Sequence, residues 1–156
     1  MTPIPRAALI LGLAGVLPFA FGALLASGLV DAHMGAPGQA GSDPLIVPRD
    51  GTVILLRYGT IILAFMSGVL WGFAARAEGE RATAGYALSV IPALYVFFMP
   101  GHGPVSGLTN LAFGFAGLLV LDWQFARWGM TPAWWLRLRL LLTALVLACL
   151  AVGIGA

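Results

Sequence analysis

Residues 53–75 read VILLRYGTIILAFMSGVLWGFAA and carry one charged side chain, Arg57. A helix that crosses a membrane needs about 20 mostly apolar residues, so this stretch predicts a transmembrane helix. The rest of the chain has the same character. Of its 156 residues, 60% are hydrophobic and 9% are charged, against about 25% charged in a typical soluble domain. The composition therefore predicts a membrane protein.

Four further apolar runs are separated by polar connections, of which three are short. Together with residues 53–75 they predict an all-α polytopic membrane protein, a bundle of five transmembrane helices that forms one domain over residues 1–156. The predicted helices cover residues 7–30, 53–75, 82–99, 106–125 and 132–154, and a long outer loop covers 31–51. Pro18 and Pro92 are expected to interrupt the first and third of these helices.

The eight arginines predict the orientation, because basic residues near short loops are retained on the cytoplasmic side. With the N-terminus inside, the inner side holds six of them and the outer side two, so the C-terminus is expected outside. The inner set is Arg6, Arg76, Arg81, Arg127, Arg137 and Arg139, and the outer set is Arg49 and Arg57. Five tryptophans at the inner helix ends fit an interfacial belt, namely Trp71, Trp123, Trp128, Trp134 and Trp135.

Small residues at four-residue steps predict where the helices pack. Apolar side chains gain little by leaving lipid, so helix association depends on close backbone approach. The second helix carries Ala64, Gly68 and Gly72 at this spacing, and the third carries Gly85, Ser89 and Ala93. We expect both sets to be packing surfaces, with a substrate path lined by small residues as the alternative.

Asp122 is the one acidic residue within a predicted span. An intramembrane carboxylate is a functional candidate by default. Arg137 and Arg139 stand at similar depth on the next helix, across a short turn, and predict a structural ion pair between the last two helices. The alternative is a proton relay, which requires further titratable groups at depth.

Other chemistry has little support in the sequence. His33 and His102 both fall on the outer side and are candidate metal ligands, but without a diagnostic spacing, so no metal site is expected. Phosphate loops, HExxH, GxSxG and paired carboxylates do not occur, which argues against an enzyme. Scattered arginines argue against nucleic acid as a partner. We expect no cofactor, with bound lipid as the one ligand left open.

The chain carries four fragments in this order: Ile4–Leu13, Tyr58–Phe73, Ser89–Leu94 and Pro132–Arg139, the last followed by Leu142 and Thr143. Together they resemble a domain-of-unknown-function family of small polytopic membrane proteins, found in proteobacteria and with a mitochondrial inner-membrane relative. The resemblance covers nearly the whole chain and implies an inner-membrane protein without implying a reaction.

Three functions follow as hypotheses. The leading one is a non-enzymatic accessory subunit or assembly factor of a larger energy-transducing complex, respiratory or photosynthetic, in the bacterial inner membrane. Its partners would be membrane lipids and other integral membrane subunits. The second is a small oligomeric transporter or channel that uses Asp122, and the third is metal handling at the periplasmic face through His33 and His102.

Overall fold

The computed structural model describes residues 3–29 and 48–156, and within these ranges the chain is helical without any strand. Five stretches of this described part are long and apolar enough to cross a membrane, which confirms the all-α class and the number of apolar helices. We number the helices in chain order. They are α1 (Arg6–Ala14), α2 (Leu17–Ala26), α3 (Pro48–Ala74), α4 (Gly79–Ser89), α5 (Ile91–Phe98), α6 (Pro104–Arg127) and α7 (Trp135–Gly155).

The first and third spans are each broken into two helices close to a proline. Proline has no N–H, so Pro18 and Pro92 cannot donate to the carbonyl groups four residues earlier. The first span breaks at Gly15 and Val16, and the third breaks at Val90. Both interruptions occur where the sequence predicts them.

A hydroxyl group from α3 supports each break. The Tyr58 hydroxyl donates to the Gly15 carbonyl at 3.0 Å. The Ala93 N–H, one of the first-turn donors of α5, donates to Ser67 Oγ at 2.9 Å. First-turn N–H groups have no partner within their own helix, so Ser67 caps α5 from a neighbouring helix. The broken spans are thereby tied to α3.

Helix α3 lies at the centre of the bundle and packs against α2, α4, α5 and α6, while α7 packs against α6 and α2. Its inner face presents Leu55, Leu63 and Leu70, which are fully buried. From α6, Phe115 and Leu118 complete this core. The spacing of seven or eight residues keeps the three leucines on one side of the helix.

The helix ends differ from the sequence expectation at several points. Residues 48–51, assigned to the outer loop at 31–51, form the first turn of α3. The first span ends at Ala26 rather than at residue 30, because Gly28 takes up a left-handed conformation with φ of 69°. The other ends shift by at most three residues, as helix termini commonly do. The remainder of the predicted outer loop lies outside the described residues.

Gly51, in the first turn of α3, lies directly against α2. Here α3 crosses α2 with the two backbones in close approach. A Cβ atom at Gly51 would lie within 2.5 Å of the Gly22 carbonyl oxygen, and one at Gly22 would lie 3.1 Å from the Gly51 carbonyl oxygen. The sequence suggests a loop at this glycine, but the structure uses it as a contact point between two helices.

The predicted packing glycines of α3 do not pack against any other described part of the chain. Gly68 and Gly72 are exposed, and a Cβ added to either would meet no described atom within 4 Å. Ala64, one turn earlier, is half-buried. The four-residue spacing shows that these residues share a face, but the opposite face, which carries Leu55, Leu63 and Leu70, turns inward.

The corresponding set in the third span does lie against α3. A Cβ at Gly85 would come 2.9 Å from Ala74 Cβ, and Ser89 is fully buried with its hydroxyl donating to the Tyr86 carbonyl. Ala93 is half-buried beside Ser67.

Gly51→Ala should destabilise the protein, because the added methyl group forces two backbones apart. Overpacking of this kind costs about 1–3 kcal/mol of unfolding free energy. Thermal unfolding in detergent, followed by circular dichroism, measures it. The matched control is Gly72→Ala, which adds the same group in open space and should leave the melting temperature unchanged or raised. Equal melting temperatures for the two variants would contradict the close crossing.

Candidate functional site

The α6–α7 hairpin brings two charged residues to the same depth. Asp122 lies five residues before the end of α6, and Arg139 lies four residues after the start of α7. Both positions are therefore about 6–8 Å of helix rise from the turn. Gly129, with φ of 73°, begins this turn after α6 ends. Antiparallel packing then sets the two side chains face to face.

Asp122 and Arg139 form a buried ion pair. Arg139 Nε donates to Asp122 Oδ2 at 2.7 Å, and the exposed fractions of the two side chains are 7% and 0%. The other carboxylate oxygen, Oδ1, accepts a hydrogen bond from Trp135 Nε1 at 2.8 Å. Each Asp122 oxygen therefore has a donor, which offsets part of the cost of removing the charge from water.

Arg139, of the two candidate arginines, makes this contact. Residues two apart on a helix are rotated by about 200° around its axis, so their side chains point about 160° apart. Arg137 and Arg139 therefore cannot both face α6. Arg137 is exposed on the other side of α7. The sequence alone left both open, because depth and proximity are the same for the two.

Trp135 is the functional residue that the sequence reasoning missed. The sequence predicts an interfacial belt position for it. In the structure its indole N–H donates to Asp122 Oδ1, and its ring packs edge-to-face on Phe73 with 5.0 Å between the ring centroids. Trp123 fits the belt better, being half-exposed with the Arg127 guanidinium 4.8 Å above its ring. The sequence signal for this hydrogen bond is an aspartate within one span and a tryptophan at the start of the next span.

A cavity of about 230 Å³ lies beside the ion pair, between the first span, α3, α6 and α7. Its wall is formed by apolar side chains and glycines, apart from Arg139 and Thr143. Among the described residues, Arg139 Nη2 and Thr143 Oγ1 are buried without a hydrogen-bond partner. Two polar groups on one face of α7 thus remain unsatisfied at an otherwise apolar wall.

The structure does not assemble a metal site from the residues that it describes. His102 is exposed, and its backbone N–H donates to Ser106 Oγ at 2.9 Å. His33 lies outside the described residues. No cluster of three or more histidine, cysteine or acidic side chains with metal-binding geometry occurs in residues 3–29 and 48–156.

A thermodynamic cycle tests whether the ion pair is structural. Asp122→Leu and Arg139→Met each leave a buried charge without its counter-charge, and each should lower the unfolding free energy by about 3–5 kcal/mol. The double variant Asp122→Leu with Arg139→Met removes both charges and should recover most of this loss. Thermal unfolding in detergent gives the values. A double variant as unstable as the sum of its single changes would contradict the pairing.

Comparison with known proteins identifies the family. No curated protein and no solved structure matches the chain. A family model described as "Protein of unknown function (DUF3429)" matches residues 4–155, which confirms the resemblance to a family of unknown function. Because the match covers almost the entire sequence, the chain belongs to the DUF3429 family.

Proposed function

We propose that the protein is a non-enzymatic accessory subunit or assembly factor that binds another integral membrane protein within an energy-transducing complex. The main support for this proposal is the face of α3 that points away from the rest of the described bundle. Gly68 and Gly72 are exposed there at a four-residue spacing, with open space where a Cβ would stand. Small residues at this spacing allow a second helix to approach closely in a membrane.

The surroundings of the two glycines support a helix as the partner. Ile61 and Phe65, on the same side of α3, are exposed large apolar side chains. Trp71 is half-exposed beside Gly72. Large side chains next to glycines form a groove. Van der Waals packing in such a groove is one of the forces that drive helix association in lipid.

The state of Asp122 favours this proposal over a transporter. Its carboxylate is fully buried, and both of its oxygens accept hydrogen bonds from α7. A transport site needs access to water and a group that exchanges protons or ions. In the described conformation Asp122 links α6 to α7 through these two hydrogen bonds and is closed off from water. The choice of an energy-transducing complex comes from the resemblance to a family with a mitochondrial relative.

The proposal includes a bacterial inner-membrane location with the N-terminus inside and the C-terminus outside. The orientation is supported by the arginines, six of which fall on the inner side and two on the outer side. Alkaline phosphatase fused after the C-terminus should be active, and the same enzyme fused in the connection at Ala77 should be inactive. The reverse pattern would overturn the orientation.

Substitution in the α3 groove tests the partner contact. Gly68→Leu and Gly72→Leu should abolish co-purification of the partner while leaving the melting temperature of the isolated chain unchanged, because neither glycine meets a described atom. Gly117→Leu is the matched control, since Gly117 is an exposed glycine of α6 with open space around it. Quantitative mass spectrometry of crosslinked complexes measures the partner.

Two outcomes would contradict the proposal. One is equal partner recovery from the Gly68→Leu, Gly72→Leu and Gly117→Leu proteins. The other is proton or solute flux in reconstituted vesicles that is lost on Asp122→Asn, which would favour the transporter.

A further inference from the structure

The cavity beside the ion pair has the features of a ligand site. Arg139 Nη2 and Thr143 Oγ1 both line it, both lack a hydrogen-bond partner in the part of the chain that is described, and the exposed fractions are 7% for the Arg139 side chain and 2% for Thr143. We propose that this cavity binds a neutral, membrane-soluble molecule whose carbonyl oxygen accepts a hydrogen bond from Arg139. The inference does not rest on the proposed function.

The two unsatisfied groups call for a ligand because they are costly as they stand. A buried donor without an acceptor pays its full desolvation penalty. Arg139 and Thr143 are four residues apart on α7, so their side chains lie on one face about one helical turn from each other. A single molecule that lies along this face can reach both groups.

The charge of the site selects a neutral acceptor. Asp122 already compensates the positive charge of Arg139 through the 2.7 Å contact at Nε. An anionic ligand would add a net negative charge to a site surrounded by apolar side chains, which is strongly unfavourable. A carbonyl oxygen satisfies the remaining N–H without adding any charge.

The lining and the position of the cavity indicate a lipophilic ligand that enters from the membrane. Phe19, Met66 and Phe115 form apolar walls. Leu11 and Phe65, also at the wall, are 72% and 63% exposed, so the cavity reaches the outer surface between the first span and α3. In a membrane that surface faces lipid, so the ligand enters laterally.

Water alone does not suit this cavity. A buried water makes about three hydrogen bonds and occupies about 30 Å³. The 230 Å³ space has two unsatisfied side-chain groups at its described wall, both on α7, and the rest is apolar. A ring or an acyl segment with one carbonyl group matches the volume and the polarity better.

The carbonyl group has two sources in a membrane, a quinone ring and the ester of an acyl lipid, and one experiment separates them. The full-length protein is reconstituted in nanodiscs of a diether phospholipid, which has no carbonyl group. A decyl-substituted benzoquinone or dioleoyl phosphatidylcholine is then titrated in. Bound probe is quantified by mass spectrometry, and the melting temperature is followed in parallel.

Three variants define the expected result. Thr143→Val should fold at least as stably as the wild type, because it removes a buried unpaired hydroxyl, and it should weaken probe binding about threefold to tenfold. Arg139→Lys keeps the charge opposite Asp122 but lacks Nη2, and should weaken binding more. Thr109→Val is the control, since Thr109 on α6 bonds its own helix at the Val105 carbonyl, and it should bind as the wild type does.

Saturable binding of either probe with this order of variants supports the site, and the probe that binds identifies the source of the carbonyl group. The proposal is overturned if neither probe binds saturably, or if Thr143→Val binds as tightly as the wild type. Tighter binding of decanoate anion than of both carbonyl probes would also overturn it. If Arg139→Lys does not fold, Thr143→Val and Thr109→Val decide the question.

Discussion

In the hydrocarbon core of a bilayer, a polar group that lacks a helical partner is costly unless the protein or a bound molecule supplies one, because lipid tails offer none. The helices of this chain are arranged around that requirement. Tyr58 and Ser67 of α3 meet the two broken spans, and Asp122 receives two donors from α7. Both hydroxyl groups come from α3, the helix at the centre of the bundle.

Close backbone approach is the second determinant of the fold. The α2–α3 crossing depends on Gly22 and Gly51, and a Cβ at Gly114 of α6 would collide with Leu63 of α3. These glycines do not form an obvious four-residue stripe with one another. Each of these glycines matters because of the atoms that it lies against, and those atoms belong to residues distant in the sequence.

The sequence predicts the helices well because length and hydropathy are local properties. It also predicts both breaks, since Pro18 and Pro92 act on their own helices. It fails where the outcome depends on rotation about the helix axis. It predicts that Gly68 and Gly72 lie on a packing surface but not that this surface faces away from the described bundle, and it does not separate Arg139 from Arg137. The unsatisfied state of Thr143 likewise depends on neighbours that periodicity does not identify.

The order of synthesis gives the Tyr58 contact a consequence for membrane insertion. The first span leaves the ribosome before α3, so the Gly15 carbonyl enters the bilayer without the Tyr58 hydroxyl. The third span follows α3, so Ser67 is already in place when Ala93 arrives. The Gly15 carbonyl therefore gains this donor only after α3 follows, whereas the third span can form the Ser67 contact as soon as it emerges.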